Sequence, residues 1–211
     1  MFKHLQAPLL LQKLFPSITW RIPDSKNSLY LTFDDGPIPV VTPWVLETLD
    51  KYNAKATFFC IGQNVKRYPE IYREIISRGH QTGNHTHRHL NGWNVKNKNY
   101  FADVSECSNY VHSTLFRPPY GKIKPSQIRE LKKNYQLVMW DVLSQDYDEK
   151  RTAGQCSASV IRESKPGSII VFHDSIKAES RLRGSLPTVL EHFIKKGFEF
   201  TRLESSRLHT R

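Results

Sequence analysis

Two hydrophobic periods alternate along this chain. Short runs of strand-forming residues fall at 29–33, 55–60, 115–117, 136–143, 168–172 and 198–203, and a further segment, 80–84, leads into a cluster of histidines. Between these runs apolar residues recur three and four positions apart, the spacing of one helix face. Thr42-Pro43 reads as an N-cap and first helical position, and Val45, Leu46 and Leu49 mark the inner face of a helix that ends near Tyr52-Asn53. Pro69 opens a second helix with Ile71, Tyr72, Ile75 and Ile76 on its apolar side, and Gly79 stands where a C-terminal cap belongs. Helical spacing returns at 97–112, from Lys124-Pro125-Ser126 with Ile128 and Leu131 inward, at 152–164 and at 186–196. Seven strands alternating with helices predict an α/β domain with a mainly parallel sheet.

One domain, 28–211, is expected, preceded by an arm, 1–27, packed against it. The arm's apolar run is short, is interrupted by Gln12 and Lys13, and lacks a small-residue cleavage site, so a cytoplasmic start is expected. Phe2, Leu5, Leu9, Leu10 and Leu14 offer peripheral membrane association as the alternative to packing on the domain.

The strand at 29–33 runs directly into Asp34 and Asp35, and Gly36-Pro37 ends it. Two adjacent anions repel, and the pair is tolerable if a cation takes one and leaves the other free as a base. His85 and His89 have the i, i+4 spacing that sets two imidazoles on one face of a helical turn. Asp35, His85 and His89 are therefore the candidate metal ligands. Asp34-Asp35, His85-His89, Arg117-Tyr120, Asp141-Asp146 and His173-Asp174 all lie at or just past the C-terminal ends of expected strands. In a parallel barrel those ends share the face that carries the active site.

Lys and Arg number 31 against 20 Asp and Glu, a net charge of +11 that suits anionic polymers or a membrane surface. No helix-turn-helix, zinc-finger or basic-aromatic repeat accompanies it, so nucleic acid is not expected as a partner, and no obligate protein partner is evident. Cys60, Cys107 and Cys156 are widely spaced and read as buried thiols. His4, His80, His112, His192 and His209 have no motif around them.

TFDDGP, NHTHRH, RPPYG, WDVLSQDY and VFHDS, in that order, resemble the five motifs of the polysaccharide deacetylases of carbohydrate esterase family 4, the NodB-type domain. The resemblance runs from about Ser28 to the C-terminus and implies a distorted, incomplete (β/α) barrel. It implies hydrolysis of the N-acetyl group of an N-acetylated amino sugar, in a glycan, an oligosaccharide or a lipid-linked precursor. Asp34 is then the general base, oriented by Arg117, and Asp35, His85 and His89 hold one divalent ion. Zinc is the expected ion, and cobalt, manganese, iron and nickel suit the same donors. Tyr120 supplies a backbone N–H to the oxyanion, and His173 is the general acid held by Asp146. Hydrolysis of another C–N bond, in a cyclic amide, ureide or N-formyl sugar, and a catalytically silent glycan-binding domain are the alternatives.

The fourth motif departs from the family pattern D-x-x-D-W. Leu143 replaces its first Asp, with Asp141 two residues earlier as a possible substitute, and Tyr147 replaces its Trp. Val171 stands where Leu is usual and is expected near the acetyl methyl group. Pro118, Pro119, Tyr147, Val171 and Trp93 are the expected groove residues, Trp93 as a platform for a pyranose face, while Trp140 is expected in the core. His87 is expected beside the ligands and not among them.

Overall fold

The computed structural model describes residues 14–23 and 26–204. Its centre is β1 (Ser28–Asp34), buried along its whole length because parallel strands flank both edges. The sheet follows the order β5-β4-β3-β2-β1-β7-β6, built from β2 (Ala56–Cys60), β3 (Gln81–Asn84), β4 (Leu115–Phe116), β5 (Gln136–Leu137), β6 (Val142–Leu143) and β7 (Ile169–His173). Every pairing along this path is parallel, and β5 and β6 form its two unjoined ends. The result is an incomplete (β/α) barrel. A short eighth strand, β8 (Glu199–Phe200), pairs with the first residues of β1, and its Phe200 carbonyl accepts the Lys55 N–H, so it wedges between β1 and β2 at their N-terminal ends.

Side chains alternate across this sheet and divide its contents. Leu29, Leu31, Phe33, Phe58, Ile170 and Phe172 face outward into the main core. There they meet α1 (Val41–Lys51) through Val45, Leu46 and Leu49, α3 (Pro69–Ser77) through Tyr72 and Ile75, and α7 (Glu179–Lys195) through Leu182, Leu186, Val189 and Phe193. A short α2 (Gly62–Arg67) precedes α3, and α4 (Asn97–Ser108), α5 (Pro125–Leu131) and α6 (Ala153–Glu163) are the other α-helices of the described residues. Tyr30, Phe59, Leu115, Val138 and Ile169 fill the inside of the barrel at its closed end. Thr32, Asp34, Val171 and His173 share that inner face toward the other end and belong to none of the apolar clusters of the described residues.

Four local expectations change. The run 136–143 is not one strand: β5 pairs with β4 at one end of the sheet and β6 with β7 at the other. Hydrophobicity is continuous because the crossing segment is buried too, and the Val138 and Met139 carbonyls are bonded by the Arg117 side chain instead of a neighbouring strand. The last helix begins at Glu179 and passes through Pro187, since its buried face outweighs one missing N–H. Thr42 lies inside α1, whose N-cap is Val40; its hydroxyl accepts the Ile38 N–H and donates to Asp174. The last strand shrinks to two residues.

Of the arm, Phe2, Leu5, Leu9 and Leu10 lie outside the described residues, and Leu14 is exposed. Ile18 is buried beside Leu137 and Met139, and Thr19 and Arg21 form bridges with Val138 and Ser168.

Candidate functional site

The register of the sheet assembles the site. Asp34 and His173 are direct partners in the β1–β7 ladder, although 139 positions separate them in the chain. Parallel neighbours lie about 4.8 Å apart with side chains on the same face, so the two groups stand side by side. Asn84 pairs with Phe116, which brings His85 and Arg117 to the same rim.

Arg117 is fully buried and its hydrogen-bonding capacity is taken up in one place. Its Nη1 donates to Asp34 Oδ1 at 2.7 Å and to Thr32 Oγ1 at 2.7 Å, its Nη2 to the Met139 carbonyl at 2.9 Å, and its Nε to the Val138 carbonyl at 3.3 Å. The guanidinium lies 4.0 Å from the centroid of the Phe59 ring. Burial pushes the guanidinium pKa down and Asp34 opposes it, so Arg117 stays a cation and holds the carboxylate in one orientation.

Asp35 leaves the strand at φ 85°, in the left-handed region. Its Oδ1 lies 3.1 Å from His89 Nε2 and 3.7 Å from His85 Nε2, and one donor atom from each of the three residues falls within 4.8 Å of the others. Bonds of about 2.0–2.2 Å to a single ion place its ligand atoms about 3–3.5 Å apart, so the three donors fit one divalent metal ion with little adjustment. The tautomer agrees. The Arg117 carbonyl only accepts, so His85 Nδ1 at 2.8 Å carries the hydrogen and Nε2 keeps its lone pair for the ion. Burial, helped by His89, pushes His85 down to about 4, which keeps the ring neutral at physiological pH. His89 Nδ1 pairs with the Tyr120 hydroxyl at 3.1 Å. Burial opposes charge on Asp35, but its bond to His89 and the fields of His173 and His85 outweigh it and hold the carboxyl well below the carboxylate range.

The two imidazoles converge by a route other than the expected helical turn. Residues 85–89 are a loop in which Thr86 and His89 have positive φ. Asp103 of α4 shapes it: the carboxylate, itself buried, accepts the His87 and Arg88 N–H groups at 2.8 and 2.9 Å and Arg88 Nε at 2.6 Å. His87 turns away from the ligands, with Nε2 3.2 Å from Glu106.

His173 Nδ1 bonds Asp146 Oδ1 at 2.7 Å, and the His173 N–H donates to the other oxygen at 2.8 Å. Burial lowers the imidazole pKa, but the charge and hydrogen bond of Asp146, then Asp35 and Asp34, raise it to about 9. The ring is therefore a cation at neutral pH, next to Asp34. Tyr147 packs edge-on to it, with centroids 5.1 Å apart.

Asp141 does not substitute for the missing motif Asp. Its oxygens accept the Ile169 N–H at 2.7 Å and the Ser168 hydroxyl at 2.8 Å, at the start of β7, the end opposite His173. Of the expected groove residues, Pro118 and Pro119 are buried behind Tyr120, which is exposed at φ 60°, and Val171 is a buried member of the inner face. Trp93 is half exposed, anchored through Nε1 to the Ile123 carbonyl at 3.1 Å, and Trp140 stacks over Gly121 in the same segment as Tyr120.

Sequence reasoning placed Asp174 on the rim without a role and did not mark Thr32, Asn64 or Asp103 as site residues. Thr32 was accessible by period two from Asp34. Asn64, whose Nδ2 donates to the Asp35 carbonyl at 2.7 Å, and Asp103 carry no local signal.

Comparison with known proteins places this geometry. The sequence model of the family described as polysaccharide deacetylase matches residues 21–140. A peptidoglycan-N-acetylglucosamine deacetylase of Bacillus cereus is 32% identical over 201 residues, which cover 91% of this chain and 94% of that protein. A chitooligosaccharide deacetylase of Azorhizobium caulinodans is 35% identical over 164 residues, 73% of this chain and 77% of the relative. The crystal structure of a peptidoglycan N-acetylglucosamine deacetylase in complex with 4-naphthalen-1-yl-N-oxidanyl-benzamide superposes with a TM-score of 0.85 at 29% identity, covering 97% of this chain and 98% of that one. Likeness in sequence and in fold over nearly the whole length leaves one conclusion: this chain belongs to the polysaccharide deacetylase family.

Proposed function

We propose that the chain removes acetyl groups from N-acetylated amino sugars by hydrolysis, with a glycan, an oligosaccharide or a lipid-linked precursor as substrate and acetate as the acyl product. The observation that carries this reading is the pairing of Asp34 with His173 across the β1–β7 ladder, beside the Asp35, His85 and His89 donors. Amide hydrolysis needs a polarised carbonyl, a deprotonated water, a stabilised oxyanion and a proton for the departing amine. Asp35, His85 and His89 would hold a divalent ion, with zinc the proposed metal; bound there, it supplies Lewis acidity to the acyl carbonyl and lowers the pKa of a water from about 16 toward about 7.

The remaining functions belong to side chains of the chain. Asp34, oriented by Arg117, takes the proton of the attacking water. As the water oxygen bonds to the acyl carbon, the Tyr120 backbone N–H is the proposed donor to the oxyanion. His173, charged at neutral pH by its pairing with Asp146, gives its proton to the sugar nitrogen as the C–N bond breaks. Acetate and a free amine result. Tyr147 and the exposed Trp93 and Tyr120 are proposed to contact the sugar. A domain that only bound glycan would gain nothing from a buried arginine holding one carboxylate beside a charged imidazole. Acetate release from chitin oligomers and peptidoglycan fragments, with metal analysis of the purified chain, tests the reading. Acetate release that depends on a bound divalent ion supports it; no release from any N-acetylated sugar sinks it.

A further inference from the structure

Successive side chains of a strand point to opposite faces, yet the adjacent Asp34 and Asp35 serve one site. The backbone resolves this at Asp35, where φ 85° turns the chain out of β1. Such a conformation in a residue other than glycine is strained and persists only where its surroundings impose it. The surroundings are specific. Asn64 holds the Asp35 carbonyl, and Asp174 Oδ1 accepts the next N–H, that of Gly36, at 3.0 Å. Asp174 Oδ2 accepts the Thr42 hydroxyl at 2.6 Å, and that hydroxyl in turn accepts the Ile38 N–H at 2.9 Å. One buried carboxyl thus fastens both ends of the segment 36–42 to the end of β7. The fit is close: a Cβ on residue 36 would lie 1.9 Å from Asp174 Oδ2, which is why glycine occupies that position.

We infer that Asp174 is a positioning residue of the metal site: by holding Gly36 and Thr42 it sets the turn that aims Asp35 at His85 and His89. The inference rests on the reading of those three residues as metal ligands. It does not require Asp174 to touch the substrate or the ion.

Zinc affinity of the purified chain, measured by competition with a chromophoric chelator, tests it apart from turnover. Asp174→Ala is expected to weaken zinc binding about 10- to 100-fold, the usual consequence of removing a group that orients a ligand. Asp174→Asn keeps one oxygen for the Gly36 N–H and is expected to lose less. Gly36→Ala drives a methyl group into Asp174 and should weaken zinc as Asp174→Ala does, whereas the double variant should be no worse than Asp174→Ala alone, because the two changes break one interaction. Circular dichroism of the zinc-free proteins separates loss of the site from loss of the fold. Unchanged zinc affinity in folded Asp174→Ala would overturn the inference, and if that variant does not fold, unchanged affinity in both Asp174→Asn and Gly36→Ala would do so. A wild-type chain that binds no divalent ion would overturn the metal reading and this inference with it, whereas a wild-type chain that binds zinc alongside an unchanged folded Asp174→Ala would overturn the inference alone.

Discussion

Asp34 and His173 stand side by side on neighbouring strands, and each has a partner that orients it: Arg117 for the carboxylate, Asp146 for the imidazole. Asp34→Asn keeps the shape and the Arg117 contact but removes the base, so zinc content should be retained while kcat falls about 10²- to 10⁴-fold, as read from acetate release and metal analysis of the same sample. Full turnover in that variant would move the base elsewhere. His173 must be protonated to serve the leaving amine, and its pKa is raised to about 9. Activity should therefore fall as the pH rises through the His173 pKa, and in Asp146→Asn, which loses the largest raising influence, the alkaline limb should move to lower pH. An alkaline limb that stays in place in Asp146→Asn would show that another group sets it. The same shift has a sign for stability. The folded-state pKa exceeds the ordinary imidazole value of 6.5, so the pairing adds stability fully present below about pH 6.5 and lost as the pH rises through about 9. Urea midpoints of the metal-free chain should decline across that window, and the decline should flatten in Asp146→Asn.

At the scale of elements, the site depends on a ladder and on one side chain that replaces a ladder. β1 and β7 bring Asp34 and His173 together by register, so a slip of one residue would turn either group to the other face. Between β5 and β6 the crossing segment has only a single bridge, Thr19 with Val138, among the described residues, and Arg117 bonds its Val138 and Met139 carbonyls while reaching Asp34 and Thr32 on β1. Arg117 thus ties β4, the crossing and β1 into one unit. Arg117→Ala would leave a buried carboxylate and two carbonyls without their donor, and is expected to destabilise the fold by about 3–5 kcal/mol in urea unfolding. A loss within ordinary surface-mutation scatter would show that the guanidinium orients Asp34 without supporting the sheet.

For the molecule as a whole, the excess of basic residues supplies a long-range field that no single contact describes. If the natural glycan is anionic, kcat/KM should drop as ionic strength rises past the range where the Debye length is about 10 Å, while turnover of neutral chitin oligomers stays level. Equal salt dependence for both substrates would leave the charge without a part in recognition. Much of this molecule was legible in the chain. Alternating periods announced parallel strands between helices, because burial of a strand or a helix face imposes its own spacing, and the chemical residues could be placed on one rim because each followed a strand-forming run. What stayed hidden depends on contacts between distant segments. Apolar residues from Gln136 to Leu143 look like one strand because a buried crossing needs the same side chains as a buried ladder. Asp141 looked like a replacement for a missing acid, and only the sheet register shows it at the far end of β7. The five motifs determined which groups meet; the tertiary structure decided how, through the left-handed turns at Asp35, Thr86 and His89 and the buried Asp103 and Asp174 that hold the loops around them. Backbone strain of that kind is sustained by neighbours remote in sequence, and so it leaves no period or spacing to be read.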